Sequence, residues 1–170
     1  MTEKNIVLRD LRISYNGPFS IDSFMKSIDS WLDENGYEKE QKKYQEHITE
    51  NGKDIELTIE GHKSYSKWIG GNLILKAKIH NLKETTVKKG KKNIRISKAD
   101  ILVNVEGLVI SHITESYIHS RPVYLFFLTL VDKYIYNVWG GKHNGAVYSD
   151  GMSLHKHLRA FFSLQKYKFK

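Results

Sequence analysis

The sequence predicts an α+β fold: a curved antiparallel β-meander of five or six strands with helices packed on one face. Apolar and polar residues alternate in four segments: Asp54–Glu60, Asn72–His80, Asn93–Ser97 and Asp100–Glu106. Successive side chains of a strand point to opposite faces, so this period of two predicts one apolar and one polar sheet face. Asn51-Gly52 and Lys89-Gly90-Lys91 are turn signals that favour antiparallel hairpins.

The composition is typical of one globular domain spanning residues 1–170. The chain is 40% hydrophobic and 12% aromatic, which is enough for a packed core. It has no cysteine, which excludes disulfides, thiolate chemistry and cysteine-based zinc sites. The N-terminus has no pattern of a secretory signal, and the apolar run Val123–Leu128 is far shorter than a membrane span of about 20 residues. We therefore expect a cytoplasmic protein without a membrane span.

The first predicted strand, Ile6–Tyr15, changes parity after Leu8. A single bulge at Arg9-Asp10 would keep its apolar side chains on one buried face, which Ile6 and Leu8 are then expected to share. Asn16-Gly17-Pro18 predicts a turn that ends this strand.

A helix is predicted after the first strand, because Ser20 can cap it and Asn35-Gly36 can stop it. Its apolar residues recur every three or four positions, as on one face of a helix. We expect this face to cover the apolar side of the sheet. The residues of the stripe are Ile21, Phe24, Met25, Ile28, Trp31 and Leu32.

The segments before and after the predicted Asp54–Glu60 strand carry weaker patterns. Tyr37–Thr49 is charged and fits either a polar edge strand or a helical turn, although the turn signal after it favours a strand ending near Thr49. Tyr65–Ile69 followed by Gly70-Gly71 predicts a kinked entry into the next strand. Gly107 is a candidate for a further bulge.

Two C-terminal helices are predicted. Pro122–Val138 is apolar on nearly all sides and Gly140-Gly141 is expected to end it, leaving the glycine-rich stretch up to Gly145 as a loop. The second helix, Met152–Gln165, is followed by a basic tail, 165–170, that we expect to fray. Its inward residues are expected to be Leu154, Leu158, Phe161, Phe162 and Leu164.

Part of the chain resembles a known group of proteins. Tyr44–Leu82, with the strands Asp-Ile-Glu-Leu-Thr-Ile-Glu-Gly and Leu-Ile-Leu-Lys-Ala-Lys-Ile, resembles small uncharacterised archaeal α+β proteins, as does the tail helix beginning at Arg121-Pro122. The element order β-α-β-β-β-β-α-α is similar to helix-grip folds and to one repeat of the TATA-binding-protein fold. These likenesses imply a fold and no activity.

The net charge of +8 is concentrated in two segments. Lys83–Lys98 holds seven basic residues and one acidic residue, and Gly151–Lys170 holds five basic residues and no acidic one. Localised positive charge is typical of proteins that bind polyanions, although lysine turns also keep sheet edges soluble. The leading hypothesis is a non-catalytic module that docks on structured RNA or a ribonucleoprotein. The candidate contacts are Lys88, Lys89, Lys91, Lys92, Arg95, Lys98, Lys166, Lys168 and Lys170.

Two other functions fit the sequence. The Pro122–Val138 helix could hold an apolar ligand against the sheet, or its surplus apolar face could meet a second copy in a homo-oligomer. The aromatic residues near element ends also fit a plain core. The candidate pocket residues are Tyr65, Trp68, Tyr124, Phe127, Tyr136 and Trp139.

No catalytic residue, cofactor or metal site is expected. The sequence has no phosphate-binding loop and no nucleophile elbow, and we do not expect an enzyme. His155 and His157 point to different sides of the predicted helix, and a metal site at His112, His119 and Glu115 has no supporting pattern. On the polar sheet face, Glu56 and Glu60 are expected to lie across from Lys76 and Lys78 and neutralise them.

Overall fold

A computed structural model shows a five-stranded antiparallel sheet with helices on one face. It describes residues 2–50, 52–89, 92–112 and 137–168, and only the backbone of 2–3, 85, 87–89, 92–96, 112 and 137–141. The spatial strand order is β1-β5-β4-β3-β2. The elements are β1 (Thr2–Phe19), α1 (Ile21–Glu34), β2 (Glu38–Thr49), β3 (Gly52–Ser64), β4 (Ile69–Lys89), β5 (Lys92–His112) and α2 (Asn137–Lys168).

The predicted α+β class and antiparallel sheet are confirmed, and the alternating segments divide the sheet into two faces as expected. The apolar residues of β3, β4 and β5 are buried beneath the helices, while the residues between them face outward. We call these the inner face and the outer face. The buried strand residues include Ile55, Leu57, Ile59, Leu73, Leu75, Ala77, Ile79, Ile101, Val103 and Val105.

Strand β1 contains two bulges rather than one. The predicted bulge at Arg9-Asp10 is present, with Asp10 at a φ of 58°. A second register shift, between Ile6 and Leu8, inserts Val7 and moves Ile6 to the outer face, where it is 45% exposed while Leu8 is 4% exposed. The expectation that Ile6 and Leu8 share a face is therefore wrong.

The predicted end of β1 is also wrong. Gly17 and Pro18 pair with Ala99 and Lys98, so the strand continues to Phe19. Proline is tolerated there because β1 is an edge strand, where a missing N–H leaves no ladder bond unmade.

Helix α1 follows its sequence pattern closely. The Ser20 side chain accepts a hydrogen bond from the Ser23 N–H, and Gly36 adopts a φ of 71° after the last turn. Phe24, Ile28 and Leu32 are buried on the side that faces the sheet. Both predicted boundaries of this helix are confirmed.

The middle of the chain forms two hairpins. Glu38–Thr49 is a strand, which resolves the ambiguity of that segment, and Thr49 pairs with Gly52 across the turn. Lys89 pairs with Lys92 at the second turn, and Asn93–Ser97 and Asp100–Glu106 belong to one continuous strand, β5. Gly107 keeps regular pairing with β4, and the irregularity lies opposite it in β1.

The C-terminal region differs most from its prediction. Helix α2 begins at Asn137 and runs for 32 residues through 140–145, so the predicted break and loop at the glycines are wrong. Leu164 is 68% exposed, whereas Gln165 is 7% exposed and takes the expected inward place. Of the predicted Pro122–Val138 helix, all but the last two residues lie outside the described residues. No helix among the described residues is long and apolar enough to cross a membrane.

Close packing against the sheet stabilises the part of α2 that follows the predicted break. Val147 Cγ2 lies 2.7 Å from where a Cβ on Gly71 would stand, and Val147 Cγ1 lies 3.1 Å from the same position on Gly107. Leu8 packs against Gly151, and its Cδ2 lies 2.4 Å from where a Cβ on Gly151 would stand. Helix and sheet therefore interlock through small residues on both sides, and this burial outweighs the helix propensity cost of about 1 kcal/mol per glycine.

Two alanine substitutions in α2 test this interlock. Gly145 has nothing within 4 Å of its Cβ position, so Gly145→Ala should raise stability by about 0.5–1 kcal/mol. Gly151→Ala gains the same propensity but displaces buried Leu8, and should be about 1–3 kcal/mol less stable than Gly145→Ala. Urea denaturation measures both. Equal stabilisation by the two substitutions would contradict the interlock.

Candidate nucleic-acid interface

The lysine-rich hairpin extends beyond the five-stranded sheet. The pairing of β3 with β4 ends at Leu82, and the pairing of β1 with β5 ends at Ser97. Residues 83–89 therefore pair only with 92–98 and form a two-stranded ribbon with them. At the base of this ribbon, 97 and 98 also pair with β1. We call the ribbon, residues 83–89 and 92–98, the arm.

The backbone register places the predicted hairpin contacts along the arm. Lys88 pairs with Asn93, Lys89 with Lys92, and Arg95 with Thr86, while Lys91 lies outside the described residues. At the base, Lys83 and Lys98 are directly opposite each other, and both side chains are exposed. Like charges directly across a strand pair repel one another, and neither lysine makes an ion pair among the described residues.

The end of α2 lies next to the base of the arm. Phe162 stacks on Tyr15 with ring centroids 4.8 Å apart, and its centroid is 6.5 Å from that of Phe19. Phe19 in turn pairs with Ser97 at the arm base. The two basic segments of the sequence are thus brought to one end of the sheet. We call the arm together with residues 156–168 of α2 the basic end.

Several basic side chains of the basic end have no carboxylate partner within the part of the chain that the structure describes. Lys83, Lys98 and Lys166 are exposed there, as are Lys156 and Arg159 along α2. Lys168 is also exposed but does make an interaction, and Lys170 lies outside the described residues. Exposed and unpaired ammonium groups are available to a negatively charged partner.

Three other lysines on the outer face, by contrast, contact carboxylates. Lys43 Nζ lies 2.5 Å from Glu56 Oε2, and Lys78, directly opposite Glu56, lies 3.9 Å from its other oxygen. Lys76 pairs with Glu106 at 3.0 Å rather than with Glu60, which lies opposite Ile74. The predicted neutralisation therefore holds for Glu56 but not for Glu60.

Electrostatic contacts shift the pKa values of the outer-face carboxyls. The hydrogen bond from Lys43 lowers the pKa of Glu56, and the Asn81 N–H together with His80 lowers that of Asp54. Both groups remain ionised to lower pH than ordinary carboxyls, which keeps their cationic neighbours paired.

An exposed aromatic residue at the basic end was not singled out by the sequence. Tyr167 is 74% exposed and stands between Lys166 and Lys168 on the last turn of α2. The pattern that could have pointed to Tyr167 is Lys166-Tyr167-Lys168, which lies in a segment that we expected to fray. An exposed ring flanked by cations can stack on a nucleobase while its neighbours contact phosphates.

A cleft of about 430 Å³ lies beside the basic end, between the first turn of α1, the β2–β3 hairpin and the arm base. Its charged lining comprises Asp22, Glu46, Glu84 and Lys53. Glu46 is already bound to Lys53 and accepts a hydrogen bond from Tyr44, which raises the pKa of Tyr44 to about 12. Three carboxylates against one lysine give this cleft a net negative charge, which disfavours phosphate there.

The candidate pocket aromatics do not form one cavity among the described residues. The Tyr65 ring packs on His143 with centroids 5.2 Å apart, and its hydroxyl lies 3.4 Å from that of Tyr37. Buried Tyr37 donates to Asp150 of α2 at 2.8 Å, and burial raises its pKa far above the ordinary value. Trp68 is exposed at a turn. Tyr124, Phe127 and Tyr136 lie outside the described residues, as does the side chain of Trp139.

Of the histidines that the sequence singled out, His155 and His157 do not meet. His155 Nε2 lies 3.5 Å from the Arg12 carbonyl oxygen, while His157 hydrogen-bonds Ser27 Oγ at 2.9 Å on the other side of α2. His119, Glu115 and the side chain of His112 lie outside the described residues. A different histidine, His62, meets two carboxylates on the outer face.

No family model matches this chain, and no curated protein is significantly similar to it. Its function is therefore inferred from the geometry.

The pairing of Glu56 gives a pH-dependent prediction. Its folded-state pKa is lowered, so the stabilisation is present above the ordinary carboxyl pKa and is lost as pH falls through the folded value. Carboxyl NMR titration should give Glu56 a pKa below the ordinary glutamate value of about 4.3, and Lys43→Gln should raise the Glu56 pKa. Lys67→Gln is the control and should leave it unchanged. An unmoved Glu56 pKa in Lys43→Gln would refute the pairing.

Proposed function

We propose that this protein is a non-catalytic binding module that docks on RNA, or on the RNA of a ribonucleoprotein, through its basic end. The observation that carries the proposal is the position of the unpaired cations. Lys83 and Lys98 at the arm base and Lys166 on the last turn of α2 lie at the same end of the sheet and make no ion pair among the described residues. In contrast, Lys43, Lys76 and Lys78 on the outer face contact carboxylates. Concentrated, uncompensated positive charge displaces counterions from a nucleic-acid backbone.

The types of side chain support contacts to the backbone and to unpaired bases. Lysine is a compact charge that suits phosphate contact and carries little sequence information. Tyr167 adds an exposed ring beside those charges, which suits a base in a loop or single strand.

A set of charge-neutralising variants tests this function. The triple variant Lys83→Gln, Lys98→Gln and Lys166→Gln should bind single-stranded RNA at least about tenfold more weakly near 100 mM salt. The slope of log affinity against log salt should become shallower by about 2, because each lost phosphate contact on a single strand contributes about 0.7. Fluorescence anisotropy at several salt concentrations measures both quantities.

The opposite end of the molecule provides a matched control. Lys4, Lys67 and Lys142 are exposed cations at the starts of β1, β4 and α2, and replacing all three with glutamine removes the same net charge. This control should keep most of the affinity and the salt slope. Salt-independent binding, or equal losses in the two triple variants, would refute docking through the basic end. A second test variant replaces Lys88, Lys89, Lys91 and Lys92 and should behave like the first.

A further inference from the structure

Three acceptor atoms converge on the outer face, far from the basic end. Glu40 of β2 lies directly opposite Glu60 of β3, and His62 follows two residues after Glu60 on the same face. His62 Nε2 lies 3.2 Å from Glu40 Oε2 and 3.7 Å from Glu60 Oε2. Two carboxylates directly opposite each other repel, so this arrangement favours a cation between them.

The neighbour on β4 fixes which nitrogen of His62 faces the carboxylates. Asn72, the register partner of His62, has its Oδ1 2.7 Å from His62 Nδ1. Because a side-chain carbonyl oxygen only accepts, Nδ1–H is the donor, and neutral imidazole then presents the lone pair of Nε2 to Glu40 and Glu60. A hydrogen bond at the far nitrogen is the usual support of a metal-binding histidine.

The Glu40 carboxylate is also held in place. Lys42 Nζ contacts Glu40 Oε1 at 2.6 Å, which leaves Oε2 directed at His62. Three potential ligand atoms therefore lie within 4.8 Å of one another. Tetrahedral zinc, with bonds of about 2.0–2.2 Å, requires ligand atoms about 3.3–3.6 Å apart, so the two histidine–carboxylate distances need only small adjustments.

We propose that Glu40, Glu60 and His62 form a site for a divalent transition metal of the zinc type. One imidazole nitrogen with two carboxylate oxygens favours zinc or cobalt over magnesium, which prefers oxygen ligands alone. Two carboxylates and a neutral imidazole balance the charge of the ion. All three residues are partly open to solvent, so the ion can enter directly and keep a fourth position for water. Asn72 acts as a positioning residue.

Zinc titration of the intact chain by isothermal calorimetry tests the site. The wild type should bind a single Zn²⁺, and His62→Ala or Glu60→Gln should weaken binding about 100-fold or more, because each removes one of three ligands. His80→Ala is the matched control: His80 is also exposed on the outer face but meets only one carboxylate, Asp54, at 3.2 Å. It should leave zinc affinity unchanged.

The role of Asn72 has its own readout. Asn72→Ala should weaken zinc binding about 10–100-fold, and Asn72→Asp, which restores an acceptor for Nδ1–H, should recover most of the loss. Bound Co²⁺ should show the strong visible absorption of a tetrahedral ion in the wild type. Circular dichroism checks that the variants fold. Absence of zinc binding by the wild type, retention in both His62→Ala and Glu60→Gln, or equal loss in His80→Ala would each overturn the proposal.

Discussion

The whole molecule depends on the period of two along its strands. Burying the apolar side chains of β3, β4 and β5 under α1 and α2 forces every alternate residue onto the outer face. There the charged residues of neighbouring strands come within reach and pair, as Lys43, Glu56 and Lys78 do. Among the cations that make no ion pair within the described residues, Lys83, Lys98 and Lys166 lie on elements that extend past the paired region of the sheet.

The interlock between α2 and the sheet determines where those elements meet. Val147 fits against Gly71 and Gly107, and Leu8 fits against Gly151. From this contact α2 runs along β1, so that Phe162 reaches Tyr15 near the end of that strand. The last turn of the helix therefore arrives at the base of the arm. The packing of Val147 and Gly151 against the sheet thus fixes the position of the basic residues in the last turn of α2.

Sequence patterns correctly predicted the features that depend only on residues close together in the sequence. The parity of the strands, the caps of α1 and the bulge at Asp10 depend on neighbours in sequence, and each was predicted. The continuity of α2 was not, because Gly140-Gly141 indicate a break locally, whereas the packing of Val147 and Gly151 against the sheet depends on residues distant in the sequence. The exposure of Ile6 depends on a second bulge in β1, and no residue type in the sequence indicates that bulge.

The same distinction applies to the candidate sites. The lysine-rich segments are visible in the sequence, but their convergence depends on the contacts of Phe162 with Tyr15 and Phe19. The alternation of side chains along a strand is enough to place Glu60 and His62 on the same face. Their approach to Glu40 and Asn72 required the register of two further strands, and the sequence placed Glu60 opposite a lysine instead.

A two-dimensional amide NMR titration with a single-stranded RNA of about ten nucleotides tests the central claim most directly. Charge left unpaired at one end of the sheet should confine the largest shift changes to residues 83–98 and 156–168, with small changes on the outer face. Shift changes centred on the outer face or near Lys4, Lys67 and Lys142, or spread evenly over the molecule, would contradict the claim.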